Sequence, residues 1–113
     1  MNLNQVTIRS AKVPETVEFY QRLGLQLIVD SIPRYARLVC PDGKATLSVH
    51  AAEDVAPDSN IVLYFECADL DTKVAELKNS GIKFETEPQD QTWLWREAYL
   101  LDPNANKICL FYA

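Results

Sequence analysis

The sequence lacks a basic excess, a long apolar run and a glycine-rich loop, and each absence excludes a class of function. It has 11 Lys and Arg against 16 Asp and Glu, a formal net charge of −5 and a pI near 4.7. Nucleic acids and anionic membrane surfaces attract basic proteins, so neither is an expected partner. No apolar run is long enough to cross a bilayer, and no secretory signal is recognisable at the N-terminus. The 113 residues contain three glycines and neither a phosphate-binding loop nor a serine nucleophile elbow.

Cysteine and histidine are also scarce. Cys40, Cys67 and Cys109 form an odd set without paired spacing. This usage is typical of a reducing compartment rather than of a disulfide framework, so we expect a cytoplasmic protein. His50 is the only histidine, and any imidazole chemistry therefore depends on that one residue.

What the sequence does contain is an internal repeat. Gly24 and Gly81 lie 57 positions apart, and at this offset apolar residues fall on apolar residues, as Leu25 does on Ile82. A period of this length indicates two copies of one supersecondary unit. Because each copy is too short to bury a good core alone, we predict one domain over residues 1–113, with module one at 1–50, a linker at 51–59 and module two at 60–113.

Each copy has the pattern of one strand, one helix and three further strands. Pro14 suits a first helical turn and Gly24 a helix end, while in module two Asp69 is a suitable N-cap and Gly81 a helix end. Period-two alternation and turn residues predict strands near residues 3–9, 25–30, 35–40, 45–50, 60–66, 82–87, 95–101 and 107–112. The predicted fold class is α+β, with two β-α-β-β-β modules forming a curved mixed sheet around a cleft and the helices on its outer face.

The alternation divides the strand residues between a core face and a polar face. The residues expected to pack against the helices are Val6, Ile8, Leu47, Val49, Leu63, Phe65, Ile108 and Leu110. The opposite face carries Gln5, Thr7, Arg9, Thr46, Ser48, His50, Val62, Tyr64, Glu66, Lys107, Cys109 and Phe111. Because that second face is rich in hydrogen-bonding groups, it is the predicted lining of the cleft.

The segment from Thr92 to Tyr99 is the most unusual local sequence. Trp93, Trp95, Glu97 and Tyr99 are predicted to share one face of a strand. A row of aromatic side chains can wall a pocket for a flat ligand, fill a core or form a dimer interface. The sequence leaves these three interpretations open.

Four motifs carry a resemblance to a known family. They are Phe19-Tyr20 with Leu23-Gly24-Leu25, Asp69-Leu70-Asp71, Gly81-Ile82-Lys83-Phe84, and Asp102-Pro103-Asn104-Ala105-Asn106. In this order and spacing the chain resembles the vicinal oxygen chelate superfamily, which includes glyoxalase I, extradiol dioxygenases and bleomycin-resistance binding proteins. The resemblance covers nearly the whole chain. One departure is Ala105, where the family's turn usually has glycine, and Asn104 or Asn106 is expected to supply any left-handed residue.

The resemblance also implies a divalent metal held by one side chain from the first and last strand of each module. The corresponding positions here are Gln5, Ser48, Val62 and Cys109. A glutamine is compatible with such a site, but valine has no donor atom and a serine hydroxyl is a poor ligand. We therefore expect no metal and no other cofactor. A shifted site using Gln5, His50 and Glu66 is the alternative.

Three residues have two interpretations each. His50 is a ligand-binding or acid–base group, or else an exposed histidine at a strand end. Arg9 pairs with Glu66, its equivalent in module two, or binds a carboxylate or phosphate. Cys109 is a nucleophile activated by His50, or an inert packed thiol.

The expected function is small-molecule binding without a metal, in a homodimer that has no nucleic-acid or membrane partner. His50 is the candidate catalytic residue, and the residues expected to bind the ligand are Gln5, Arg9, Ser48, His50, Tyr64, Glu66, Trp93, Trp95 and Cys109. One alternative is a metal-dependent lyase or dioxygenase of the glyoxalase type with unusual ligands. The other is a protein-interaction module that acts through residues 93–99.

Overall fold

The computed structural model describes residues 1–53, 55 and 60–113, and they form two units with the same order of elements. Unit 1, Met1–Ala56, contains β1 (Gln5–Ser10), α1 (Val13–Leu23), β2 (Gln26–Ser31), β3 (Tyr35–Val39) and β4 (Thr46–Ala51). Unit 2, Pro57–Ala113, contains β5 (Val62–Glu66), α2 (Leu70–Asn79), β6 (Gln89–Asp90), β7 (Arg96–Leu101) and β8 (Lys107–Tyr112). The predicted α+β class with two β-α-β-β-β modules is therefore confirmed.

Each unit has one four-stranded mixed sheet. The strand orders are β1-β4-β3-β2 and β5-β8-β7-β6, and in each sheet the first strand pairs in parallel with the last while the other pairs are antiparallel. Of the predicted linker, Ala51 ends β4, and residues 54 and 56–59 lie outside those described. The single-domain organisation stays a prediction. No helix in the described part of the chain is long and apolar enough to span a membrane.

The ends of α1 follow the residues that predicted them. Pro14 occupies the first turn, where its missing N–H costs no hydrogen bond. Gly24 ends the helix at φ 113°, and its N–H bonds to the Gln21 carbonyl. Only glycine adopts this left-handed conformation without a steric penalty. The helix packs on its own sheet through the buried Val13, Val17, Tyr20 and Leu23, together with Thr16.

Helix α2 also begins and ends where the sequence indicates. Asp69 is the N-cap residue, although its side chain makes no capping hydrogen bond, and Gly81 follows the helix at φ 98°. The buried face of α2 consists of Leu70, Val74 and Leu77. This apolar stripe at helical spacing is what holds the helix on its sheet.

The strand predicted at residues 82–87 is wrong. These residues form an irregular segment, and regular pairing with β7 is limited to Gln89 and Asp90. Two features interrupt the ladder. The Tyr99 N–H donates to the Thr86 hydroxyl instead of a backbone carbonyl, and Pro88 has no N–H to donate.

Most of the predicted core is buried. Ile8, Leu47, Val49, Ile108 and Leu110 are between 0% and 7% exposed. The predicted core residues Val6, Leu63 and Phe65 are only half-buried. The period-two alternation therefore located the core face of the strands correctly. It overstated the burial of side chains on β1 and β5, the first strand of each unit.

The turn after β7 departs from the prediction at Ala105. Ala105 itself adopts the left-handed conformation at φ 64°, which corrects the expectation that Asn104 or Asn106 would do so. Its N–H donates to the Asp102 carbonyl at 3.0 Å, and this bond closes the turn around the alanine. Because an L-residue with a Cβ is strained at positive φ, the chain carries a steric cost here.

Substitution of Ala105 by glycine is therefore expected to raise the free energy of unfolding by about 1 kcal/mol. Urea denaturation followed by circular dichroism measures this change. The matched control is Ala75→Gly on the exposed side of α2, which should lower stability by about 1 kcal/mol. Equal losses in both variants would show that Ala105 is not strained.

Candidate functional site

The polar face of unit 1 is built by the register of three neighbouring strands. Ser48 on β4 lies opposite Thr7 on β1 and opposite Arg37 on β3. His50 lies opposite Arg9 and Tyr35 in the same way. Side chains opposite one another in a sheet project to the same side. The predicted face residues Gln5, Arg9, Ser48 and His50 therefore share this surface with Tyr35 and Arg37.

Three side chains converge on the Ser48 hydroxyl. Gln5 Nε2 donates to Ser48 Oγ at 3.2 Å, the Tyr35 hydroxyl lies 2.8 Å away, and Arg37 Nε donates at 3.4 Å. Ser48 is fully buried, while Tyr35 and Arg37 are half-buried and Gln5 is exposed. The result is a polar cluster with a buried hydroxyl at its base and three donor-bearing side chains around it.

His50 lies at the exposed edge of this face. Its Nδ1 is 3.0 Å from the Ala51 carbonyl oxygen. A carbonyl oxygen can only accept a hydrogen bond, so Nδ1 is the donor in this contact. The His50 ring meets the Tyr35 ring edge-on at 6.2 Å. The predicted pairing of Arg9 with Glu66 joins the two units and stays a prediction, as does a catalytic role for His50.

The corresponding face of unit 2 is aromatic. Trp95 stacks on Phe111 with ring centroids 4.4 Å apart and an angle of 12° between the planes. Tyr64 meets both rings edge-on, at 6.4 Å and 5.8 Å. We call Tyr64, Trp95 and Phe111 the aromatic cluster. About a third of Trp95 and half of Tyr64 remain exposed, so the cluster presents aromatic surface rather than filling the core.

Beside the aromatic cluster lies a buried carboxylate. Glu97 is only 1% exposed, and it accepts hydrogen bonds from Trp93 Nε1 at 3.0 Å and from the Tyr99 hydroxyl at 2.8 Å. No Lys, Arg or His among the described residues lies within 4.0 Å of it. Two neutral donors therefore satisfy this side chain, which is an unusual environment for a buried acid.

The tryptophans do not lie on the strand that was predicted for them. Strand β7 begins at Arg96, and Trp93 belongs to a turn in which Leu94 has φ 73°. The left-handed Leu94 breaks the alternation. The turn nevertheless places Trp93 within hydrogen-bond distance of Glu97. Trp93, Glu97 and Tyr99, three of the four residues expected on one face, are therefore joined by hydrogen bonds.

Cys109 lies in the interior beside Glu97 and Tyr99. Burial and the nearby Glu97 charge raise the pKa of the Cys109 thiol to about 11. Burial and its hydrogen bond to Glu97 also raise the pKa of Tyr99. Both groups therefore stay protonated near neutral pH, and a thiol nucleophile or a thiolate metal ligand needs the opposite shift.

The four positions at which the resemblance implies a metal are a poor fit for one. In unit 1, Ser48 Oγ is already engaged by three side chains, one of them the Arg37 cation. In unit 2, Val62 has no donor atom and the Cys109 thiol is protonated. Within the described residues, no three His, Cys, Asp or Glu side chains are grouped so that they could hold a metal ion.

Three residues of these faces were missed as site residues. Tyr35 and Arg37 lie on a strand that the sequence did predict, but its partner and register did not follow from local pattern. Phe111 was placed on the polar face and not recognised as a stacking partner for Trp95. In each case the missing information was which strands are neighbours, because the ring and hydrogen-bond contacts join distant parts of the chain.

Comparisons with known proteins agree with this architecture. The family model for the Glyoxalase/Bleomycin resistance protein/Dioxygenase superfamily matches residues 2–110. A comparison with curated protein sequences found no match. Among solved structures, the chain is similar to a glyoxalase/bleomycin resistance protein/dioxygenase family enzyme from Burkholderia phytofirmans PsJN, with 22% identity, coverage of 99% of this chain and 98% of that one, and a TM-score of 0.80.

Two further structures concern bleomycin. One is a bleomycin resistance determinant encoded on the transposon Tn5, with 23% identity, coverage of 99% and 98%, and a TM-score of 0.80. The other is a bleomycin-binding protein in complex with bleomycin, with 23% identity, coverage of 100% and 98%, and a TM-score of 0.78. At these identities the likeness shows a shared fold.

Proposed function

Because the chain belongs to the Glyoxalase/Bleomycin resistance protein/Dioxygenase superfamily, we propose that it is a small-molecule binding protein whose ligand carries a flat aromatic group. The observation that carries this proposal is the aromatic cluster on unit 2. The Trp95–Phe111 pair is held by its own stacking and still exposes aromatic surface, so little side-chain entropy is lost when a ligand packs on it.

Glu97 supports the same proposal as a positioning residue. Its hydrogen bonds to Trp93 and Tyr99 hold two aromatic side chains beside the cluster. A buried acid is costly unless it is hydrogen-bonded, and an apolar residue would fill the same space at lower cost. In this proposal the buried Glu97 serves to order these two rings at a binding surface.

The polar face of unit 1 supplies hydrogen-bonding groups of the kind that fix a ligand's orientation. In this proposal Gln5, Arg9 and His50 are ligand-binding groups of unit 1 in their own right, Ser48 orients its neighbours beneath them, and no metal takes part. We also propose a cytoplasmic location, since Cys40, Cys67 and Cys109 are all free thiols.

Tryptophan fluorescence tests the proposal directly, because Trp93 and Trp95 are the only tryptophans. We expect saturable quenching on titration with bleomycin, chosen because a related structure is a complex with it, or with planar aromatic compounds. Trp95→Ala should weaken binding by at least about tenfold, measured by calorimetry, because it removes the stacking surface. Tyr112→Ala is the matched control. It removes an exposed aromatic residue next to Phe111 that projects to the other face of β8.

Equal loss in the two variants, or no saturable response to any aromatic probe, would contradict ligand binding at the aromatic cluster.

A second candidate function is association with a protein partner, including a second copy of the chain. The exposed turn favours it, because Trp93 is 56% and Leu94 is 90% exposed. In that case the tryptophan emission should change with protein concentration, and sedimentation should show a dimer that Leu94→Ser dissociates.

A further inference from the structure

We infer that Tyr35, Arg37 and Gln5 form an oxyanion-binding site on unit 1, which takes a carboxylate or phosphate group. This inference goes beyond the proposed function and depends on neither the aromatic cluster nor any contact between the units. Its basis is the juxtaposition of three donor side chains around one buried hydroxyl.

The direction of the hydrogen bonds at Ser48 determines what Tyr35 can do. A serine hydroxyl accepts two hydrogen bonds and donates one. Gln5 Nε2 and Arg37 Nε are N–H donors, so they use the two acceptor positions of Ser48 Oγ. Ser48 must then donate its own proton to the Tyr35 oxygen, 2.8 Å away. The Tyr35 O–H is left to donate outward.

Arg37 has a charge that no described carboxylate balances. The ion pairs of the described residues involve Arg22, Lys78 and Arg96, and Arg37 is in none of them. Arg96 shows the contrast, because Asp71 and Asp90 both bind its guanidinium. Among the partners that the described residues offer, a neutral hydroxyl engages Nε of Arg37 and none engages its two Nη groups, which form a fork of donors.

The surroundings favour an anion over a neutral ligand. The strand residues that share this face by register include a second arginine, Arg9, opposite His50, and none of them is Asp or Glu. The face is therefore cationic although the whole chain has a net charge of −5. The Tyr35 hydroxyl and the Arg37 Nη groups both have hydrogen bonds to donate, so together they select an acceptor, and the guanidinium fork matches the two oxygens of a carboxylate or phosphate.

The experiment is a ¹⁵N heteronuclear NMR titration of the full chain with inorganic phosphate and, in a second arm, with acetate. Sodium chloride at the same ionic strength is the reference. We expect saturable shifts of the Tyr35, Arg37 and Ser48 amide signals with at least one of the two anions, and the arms show whether phosphate or carboxylate is preferred. Tyr35→Phe, which keeps the ring and removes the donor, should raise the dissociation constant about tenfold.

Arg37→Met should abolish the saturable shifts, whereas Arg34→Met is the matched control with the same charge change at an exposed position beside the strand. Arg37→Lys keeps the charge, loses the fork and should bind with reduced affinity. Equal weakening by Arg37→Met and Arg34→Met would overturn the inference, because it would indicate a diffuse charge effect. Shifts no larger than those with chloride would also overturn it, and this outcome needs only the unmodified chain.

Discussion

Replacing Asp102 with alanine is expected to lower the free energy of unfolding by about 3 kcal/mol. Asp102 is 5% exposed and organises the turn between β7 and β8. Its Oδ1 accepts from the N–H groups of Asn104 at 2.8 Å and Asn106 at 2.9 Å, and its Oδ2 accepts from Asn106 Nδ2 at 2.9 Å.

The loss is large because the substitution leaves several donors without their acceptor. Backbone N–H groups in a partly buried turn cannot all regain hydrogen bonds to water, and each unmade bond costs about 1 kcal/mol or more. Asp102→Asn keeps one carbonyl acceptor and is expected to lose less. Equilibrium unfolding in urea, followed by circular dichroism, measures both changes.

Asp42→Ala is the matched control for this turn. Asp42 is an exposed residue of the connection between β3 and β4 in unit 1, and surface substitutions of this kind change stability by about 0.5 kcal/mol or less. A loss below about 1 kcal/mol for Asp102→Ala would show that water replaces the carboxylate in the turn.

The features that the sequence predicted well depend on local chemistry. Gly24 and Gly81 mark helix ends because left-handed backbone conformations are steeply selective for glycine. The apolar stripes of both helices repeat at helical spacing, and the 57-residue offset between the glycines reveals that the same module occurs twice. None of these signals requires knowing which distant residues are in contact.

The sequence predictions were wrong where a local side-chain hydrogen bond or an uncommon backbone conformation interrupted the strand pattern. Residues 82–87 alternate like a strand, but the Thr86 hydroxyl takes the Tyr99 N–H that a ladder would have used. Leu94 adopts a positive φ that leucine seldom adopts, so Trp93 turned out to lie in a turn. Neither event has a signature in composition or period.

The candidate site was predicted only in part, because its geometry depends on strand register. Ser48 and Gln5 were identified from alternation, but the role of Ser48 depends on Tyr35 and Arg37, which reach it only once β3 pairs with β4. Glu97 was noticed as a carboxylate in a row of aromatics. Its burial and its two donors required the fold.

Alkaline pH is expected to destabilise the chain steeply, and Cys109 is the main cause. The folded protein raises the pKa of this thiol from an ordinary value of 9.0 to about 11, through burial first and the Glu97 charge second. Below pH 9 the thiol is protonated in both the folded and the unfolded state, so its contribution to stability is fully present. Between pH 9 and 11 the unfolded chain releases the proton while the folded chain retains it, and stability falls.

The expected loss is roughly 2 to 3 kcal/mol by pH 11, since each pH unit in this window costs about 1.4 kcal/mol. Tyr99 adds to the loss at the upper end of the window, because its pKa is also raised. Urea midpoints measured from pH 7 to pH 11 give the slope. Cys109→Ala should flatten this slope, and Cys67→Ala, which removes a half-buried thiol bonded to the Phe65 carbonyl, is the comparison variant.

A slope that is the same in the Cys109→Ala variant would mean that this thiol ionises as readily in the folded chain as in the unfolded one. Burial would then not hold the proton on this sulfur, and Cys109 would again be a candidate nucleophile or metal ligand at alkaline pH. The difference in slope between the two cysteine variants therefore tests the chemistry of unit 2 independently of any ligand. It distinguishes a face that binds through neutral aromatic and hydroxyl groups from one that reacts through sulfur.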